Sequence, residues 1–186
     1  LILFTSDHGE ELCDHHMFRK SRPYQGSIRI PLILSGNDRL LPGLTPGTVS
    51  HSLVELRDVM PTLLDFVHTH IPDTLDGKSM LPLIEQPQKA LREVLHGEHS
   101  YGEYSNHWLV TPQDKFIWYS ETGTEQYFRL LDDPKELHNE IHNPVCQNRI
   151  CQLRDCLIQT LKNRPEGFSD GTKLIPGQPY PPYMPS

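Results

Sequence analysis

The residues best suited to chemistry stand close to the start of the sequence. Asp7, His8 and Gly9 come straight after the apolar run Leu1-Ile2-Leu3-Phe4-Thr5 and Ser6, at the end of a predicted strand, the edge at which open α/β sheets place their sites. A carboxylate beside an imidazole can grip a divalent cation. Consecutive strand side chains face opposite ways, so the two meet one ion only where the backbone bends, and Gly9 permits that bend. On these residues alone a capped turn is the simpler reading, because one oxygen and one nitrogen leave most coordination positions open. Arg19-Lys20-Ser21-Arg22 taken by itself is a solvated basic patch, and His15 and His16 are loop histidines. His96-Gly97-Glu98-His99 has a metal-motif composition, but a strand puts His96 and Glu98 on one face and Gly97 and His99 on the other. It is set aside as a ligand group.

The elements that must position these residues follow from the pattern. Leu1–Thr5 is a continuous apolar run, which predicts a buried and parallel strand. Such a strand belongs inside a core, so the expectation is a preceding segment that supplies its neighbours. Residues 6 to 29 form a polar loop, and Ile30-Pro31-Leu32-Ile33-Leu34-Ser35 returns to strand. Asp58 is placed to cap a helix over 59–68 in which Val59, Met60, Leu63, Leu64 and Val67 make one apolar stripe against the sheet. After a Pro-punctuated linker over residues 70 to 90, short strands at 93–98, 108–111 and 115–120 suggest an antiparallel meander. Asn143 and Pro144 start a helix with Ile150, Leu153, Leu157 and Leu161 at helical spacing, and Pro165 follows its end. The expected domains are 1–90, a main α/β portion; 91–164, a small α+β subdomain; and 165–186, a tail with six prolines that wraps a surface or stays disordered.

Composition narrows the function classes. The chain has 186 residues, 17 Lys+Arg against 24 Asp+Glu, and a net charge of −7, which argues against nucleic acid as a partner. No apolar run reaches the roughly 20 residues that span a bilayer, so no membrane partner is expected. The four cysteines form no CxxC pair and read as structural thiols. Unpaired thiols lean towards a reducing, cytoplasmic setting.

Several ordered motifs resemble the sulfatases of the alkaline-phosphatase superfamily. The resemblance runs through Phe4-Thr5-Ser6-Asp7-His8-Gly9-Glu10, Asp14-His15, Arg19-Lys20, Tyr24 to Ile33, Asp58 to Leu64 and Leu75 to Leu83. It continues in Lys115 to Tyr119, Tyr127 to Leu130, Asp132 to Glu136 and Asn139. It implies an α/β fold: the C-terminal part of a sulfatase-like sheet sandwiched by helices, plus a small antiparallel sheet with one helix. It also implies that Asp7 and His8 ligate a divalent cation, calcium first, with manganese or zinc as alternatives. Lys20, thirteen residues after the aspartate, then contacts the sulfate as a catalytic group, and His15 lines the substrate.

The family's nucleophile is a formylglycine made from a cysteine or serine in Cys/Ser-x-Pro/Ala-x-Arg. No cysteine here has Pro or Ala two residues on, and Ser21-Arg22-Pro23-Tyr24-Gln25 ends in Gln rather than Arg. The resemblance therefore implies a C-terminal fragment of a sulfuric-ester hydrolase acting on small sulfate esters, inactive alone, with the formylglycine in an N-terminal part. A phosphonate monoester or phosphodiester hydrolase of the same superfamily is the enzymatic alternative. A non-catalytic domain that forms homo-oligomers through exposed sheet edges is the other.

Overall fold

A computed structural model describes residues 1–37, 39–100 and 102–179. The chain divides into two compact units, one made of Leu1–Asp7 with Ile30–Val94 and the other of His8–Arg29 with Leu95–Ser186.

In the first unit, strands β1 (Ile2–Thr5) and β2 (Leu32–Ser35) pair antiparallel, Ile2 opposite Ser35 and Thr5 opposite Leu32. This corrects the expectation of a buried parallel strand. Ile2 and Phe4 are 67% and 58% exposed, while their neighbours on the other face are half-buried. An unbroken apolar run signals cover on both faces, and within this chain only one face has it.

Helix α2 (Val59–Phe66) forms where expected, but most of its predicted stripe faces outwards: Met60, Leu63 and Val67 are exposed and Val59 and Leu64 half-buried, whereas Pro61 and Thr62 are buried. Polar anchoring turns the helix. The Thr62 hydroxyl donates to Asp58 O at 2.6 Å and accepts from Met80 N at 2.9 Å. Asp58 does not cap α2 with its side chain. It closes a capping box with Glu55 across the preceding 3-10 turn, accepts from Lys78 N at 2.8 Å, and takes both arms of Arg92 at 2.6 Å. Those bonds hold its carboxyl below the usual range although it is fully buried. A short helix α3 (Pro82–Glu85) follows the linker.

The second unit is built on a meander β3 (Leu95–His99), β4 (Asn106–Val110), β5 (Lys115–Tyr119) and β6 (Glu125–Phe128), each pair antiparallel and in sequence order. All five residues of β5 are buried, so both faces of this central strand are covered. Phe116 and Trp118 look towards α4 (Gln147–Leu161), whose Ile150, Leu153, Leu157 and Leu161 are buried as their spacing predicts. Asn143 caps the turn that leads into the helix, its side chain accepting from Val145 N at 3.0 Å. Ile117 and Tyr119 look the other way, into a cluster with Phe128 and with Tyr24 from α1 (Gln25–Ile28) and its lead-in. The predicted helix-on-sheet layer therefore carries a second cover, residues 8–29. Over its described part the tail packs on the sheet: Phe168 is fully buried against Trp118 and His107, and Gly177 N donates to Ser120 O at 2.8 Å. Its last residues, 180–186, lie outside the described residues. No helix among the described residues is long and apolar enough to cross a membrane.

Candidate active site

Segment His8–Arg29 carries most of the candidate residues, and its shape is costly. Of the seven non-glycine residues with positive φ among the described residues, five fall here: Leu12, Cys13, His15, His16 and Arg19. Each left-handed residue costs on the order of 1 kcal/mol or more and persists only where its surroundings over-determine it. The surroundings here are specific. Gly9 N donates to Ser27 O at 2.7 Å, and Glu11 N to Arg19 O at 3.2 Å. A Cβ on Gly9 would stand 2.0 Å from Gly26 O, so only glycine allows the two ends of the loop to meet. The Ser27 hydroxyl donates to Lys20 O at 2.7 Å, fixing the backbone of the candidate sulfate-binding lysine.

A buried ionic group fastens the same segment to the sheet. Lys115 is fully buried on β5, donates to Pro23 O at 2.8 Å and forms an ion pair with buried Glu136. Glu136 in turn accepts from Gln25 N at 2.6 Å. Glu11 lies beside them, 2% exposed, with no hydrogen-bond partner of normal geometry for either oxygen. Burial above all, then the charges of Glu136 and Asp14, pushes its pKa up to about 7, with Lys115 pulling the other way. Burial likewise pushes the Lys115 ammonium down against its two carboxylate neighbours. Sequence reasoning missed this group, because nothing local marks residues about a hundred positions apart as partners.

The structure places each predicted residue as follows. Asp7 is exposed and closes the first unit's opening stretch, and His8 begins the second unit. His8 Nδ1 donates to Gly9 O at 2.7 Å, which assigns the proton to Nδ1 and the lone pair to Nε2, the arrangement typical of a metal-binding imidazole. His15 is half-buried and stacks on Tyr24, centroids 4.1 Å apart and planes 14° apart. Lys20 is exposed, and its charge, after burial, helps depress the pKa of His99. Lys20 and His99 therefore lie near one another within the second unit. Next to Lys20, Glu11, Arg19, Ser21, Arg22 and Tyr104 line a cleft of about 230 Å³ with Met17 and Phe18. The Arg22 guanidinium sits 3.7 Å above the Tyr104 ring, and this basic, partly aromatic cleft suits an anion on an organic ring.

Residues 13–163 match the family described as N-sulphoglucosamine sulphohydrolase, C-terminal. The chain belongs to the sulfatases. It is 50% identical over 179 residues to an arylsulfatase of Clostridium perfringens, across 96% of this chain and 37% of that protein. To human arylsulfatase K it is 33% identical over 150 residues, across 75% of this chain and 27% of that protein. It thus spans between about a quarter and little more than a third of the length of these curated relatives and corresponds to a C-terminal portion of the sulfatase family.

Solved structures agree on the fold. BT4656 in complex with its substrate D-glucosamine-2-N,6-O-disulfate aligns with TM-score 0.79 and 24% identity, over 88% of this chain and 35% of that one. The phosphonate monoester hydrolase of Silicibacter pomeroyi aligns with TM-score 0.73 and 23% identity, over 87% and 34%.

Proposed function

We propose that this sulfatase portion supplies the sulfate-binding lysine and two cation ligands to a sulfuric-ester hydrolase acting on small sulfate esters. The observation that carries the reading is the 50% identity to an arylsulfatase across 96% of the chain. It favours sulfate over phosphonate esters, because the phosphonate hydrolases share only the fold at 23 to 24% identity.

Asp7 and His8 would hold the divalent cation. Their donor chemistry fits one: a hard carboxylate oxygen and an imidazole whose Nδ1–H is spent on Gly9 O, a mixture that takes calcium and also tolerates manganese or zinc. A bound cation supplies charge neutralisation and Lewis-acid polarisation at a sulfate oxygen. Lys20 binds the sulfate and places its ammonium against the charge that grows on the departing oxygen, an electrostatic contribution that is commonly the largest in catalysis. The Ser27 bond to Lys20 O fixes the backbone from which that side chain extends. His15, held flat on Tyr24, borders the substrate. No formylglycine-type motif lies in this sequence, so the 186 residues alone turn nothing over.

In the whole enzyme carrying this segment, Lys20→Ala should lower kcat/KM for an aryl sulfate by roughly 100-fold or more. An unchanged rate removes Lys20 from the mechanism. A higher kcat/KM on aryl phosphonate than on aryl sulfate reassigns the substrate class. The non-catalytic reading, self-association through the open edges of the β1–β2 ribbon, requires a dimer in solution, and a monomer by scattering ends it.

A further inference from the structure

We propose that His96, Glu98 and His107 bind a zinc ion, as a cross-strand staple between β3 and β4 that is separate from the Asp7 and His8 pair. The site does not depend on the sulfatase reading. His96 and Glu98 share one face of edge strand β3, and Glu98 stands directly opposite His107 on β4. One ligand atom from each residue lies within 4.8 Å of the other two. His96 Nε2 is 3.2 Å from His107 Nδ1, and His107 Nδ1 is 3.3 Å from Glu98 Oε2. These are close to the ligand-to-ligand edges of a tetrahedral ion with bonds of about 2.0–2.2 Å, which are roughly 3.3–3.6 Å.

The donors are preorganised to different degrees. His107 is fully buried, its ring held against Trp118 and, edge-on, against Phe168. The His96 ring is parallel to that of His107 within 8°, with centroids 5.4 Å apart, so the facing nitrogens point at one another and share a proton. Zinc takes that place once the imidazole that holds the proton moves it to its other ring nitrogen and His96 tilts to bring both lone pairs to one point. His96 is only half-buried and is the partner that can move.

Glu98 is braced from outside by Arg164 at 3.1 Å, which also holds Glu166 at 2.7 Å. Ligating carboxylates normally have such hydrogen-bonded support. Two nitrogens and one oxygen favour zinc over calcium or magnesium, which prefer all-oxygen shells. The ion clamps the edge strand whose opposite face carries His99, the neighbour of Lys20.

The test is zinc titration by calorimetry on the tag-free full chain, with cobalt(II) absorption as a second readout. One equivalent that persists in Asp7→Asn should bind, and cobalt should give the visible bands of a tetrahedral site. His96→Ala and Glu98→Gln should each weaken binding by at least 10-fold. Glu98→Gln keeps the side chain's shape and guards against a folding artefact. His99→Ala and Asp7→Asn should leave the affinity unchanged. In the nitrogen-15 spectrum, zinc should shift His107 Nδ1. No binding of zinc, or binding that survives both His96→Ala and Glu98→Gln, overturns the proposal. Binding lost with Asp7→Asn instead would assign the ion to the other pair and also overturns it.

Discussion

Each unit buries a charge, and the two do it in opposite ways. In the first, Asp58 is surrounded by donors: two from Arg92, one from Glu55 N and one from Lys78 N. In the second, one cation, Lys115, faces two carboxylates, and neither oxygen of Glu11 has a hydrogen-bond partner of normal geometry. A satisfied ion pair fixes backbone and does little else, whereas a carboxyl that is buried and unsatisfied stores free energy beside the strained loop it supports. The contrast separates a brace from a site.

The two regions should respond to pH with opposite slopes. Asp58 has a lowered pKa in the folded chain, so its contribution is complete above the ordinary value of 3.8 and is lost as pH falls through its folded pKa. Glu11 has a raised one, so the fold is favoured while Glu11 is protonated and loses stability as pH rises from 4.5 to about 7.

The largest expected effect is Asp58→Ala, which leaves the Arg92 guanidinium buried without its partner and should cost about 3–5 kcal/mol in urea unfolding. A loss below about 1 kcal/mol would mean that water reaches the pair and that the contrast is wrong. Next is Glu11→Gln. The raised pKa corresponds to a penalty on the order of 3 kcal/mol once Glu11 is ionised, so this variant should be more stable than the parent above about pH 7. The two stabilities should converge near pH 4 to 5. A pH-independent difference would show that Glu11 does not titrate there. Smallest is Ser27→Ala, which removes the bond to Lys20 O and should cost about 1 kcal/mol. In the whole enzyme it should lower kcat more than it raises KM if that bond orders Lys20 for the reaction.

What could be read from the sequence was what repeats locally. Helix α4 announced itself through Ile150, Leu153, Leu157 and Leu161 because one face of a single element buries all four. The meander was legible from its short β-rich runs. Where cover comes from far along the chain, the pattern misled: the apolar run of β1 has one exposed face, and the stripe of α2 lost to the polar ties of Thr62 and Asp58. The candidate site divides the same way. Asp7, His8 and Lys20 fall within one stretch and carry a family pattern. His107, which completes the trio with His96 and Glu98, is an unremarked strand histidine until the register sets it opposite Glu98.

The seat of the lysine loop has a consequence for how the protein is made. Pro23 leaves the ribosome 92 residues ahead of Lys115, so the nascent loop has nowhere to dock until the third strand of the meander is synthesised. Five left-handed residues are unfavourable in a free chain, and contacts so distant in sequence form late and slowly. The loop that carries Lys20 takes its docked shape only after β5 has been made, and a translation product interrupted before that strand would carry it as an unstructured coil.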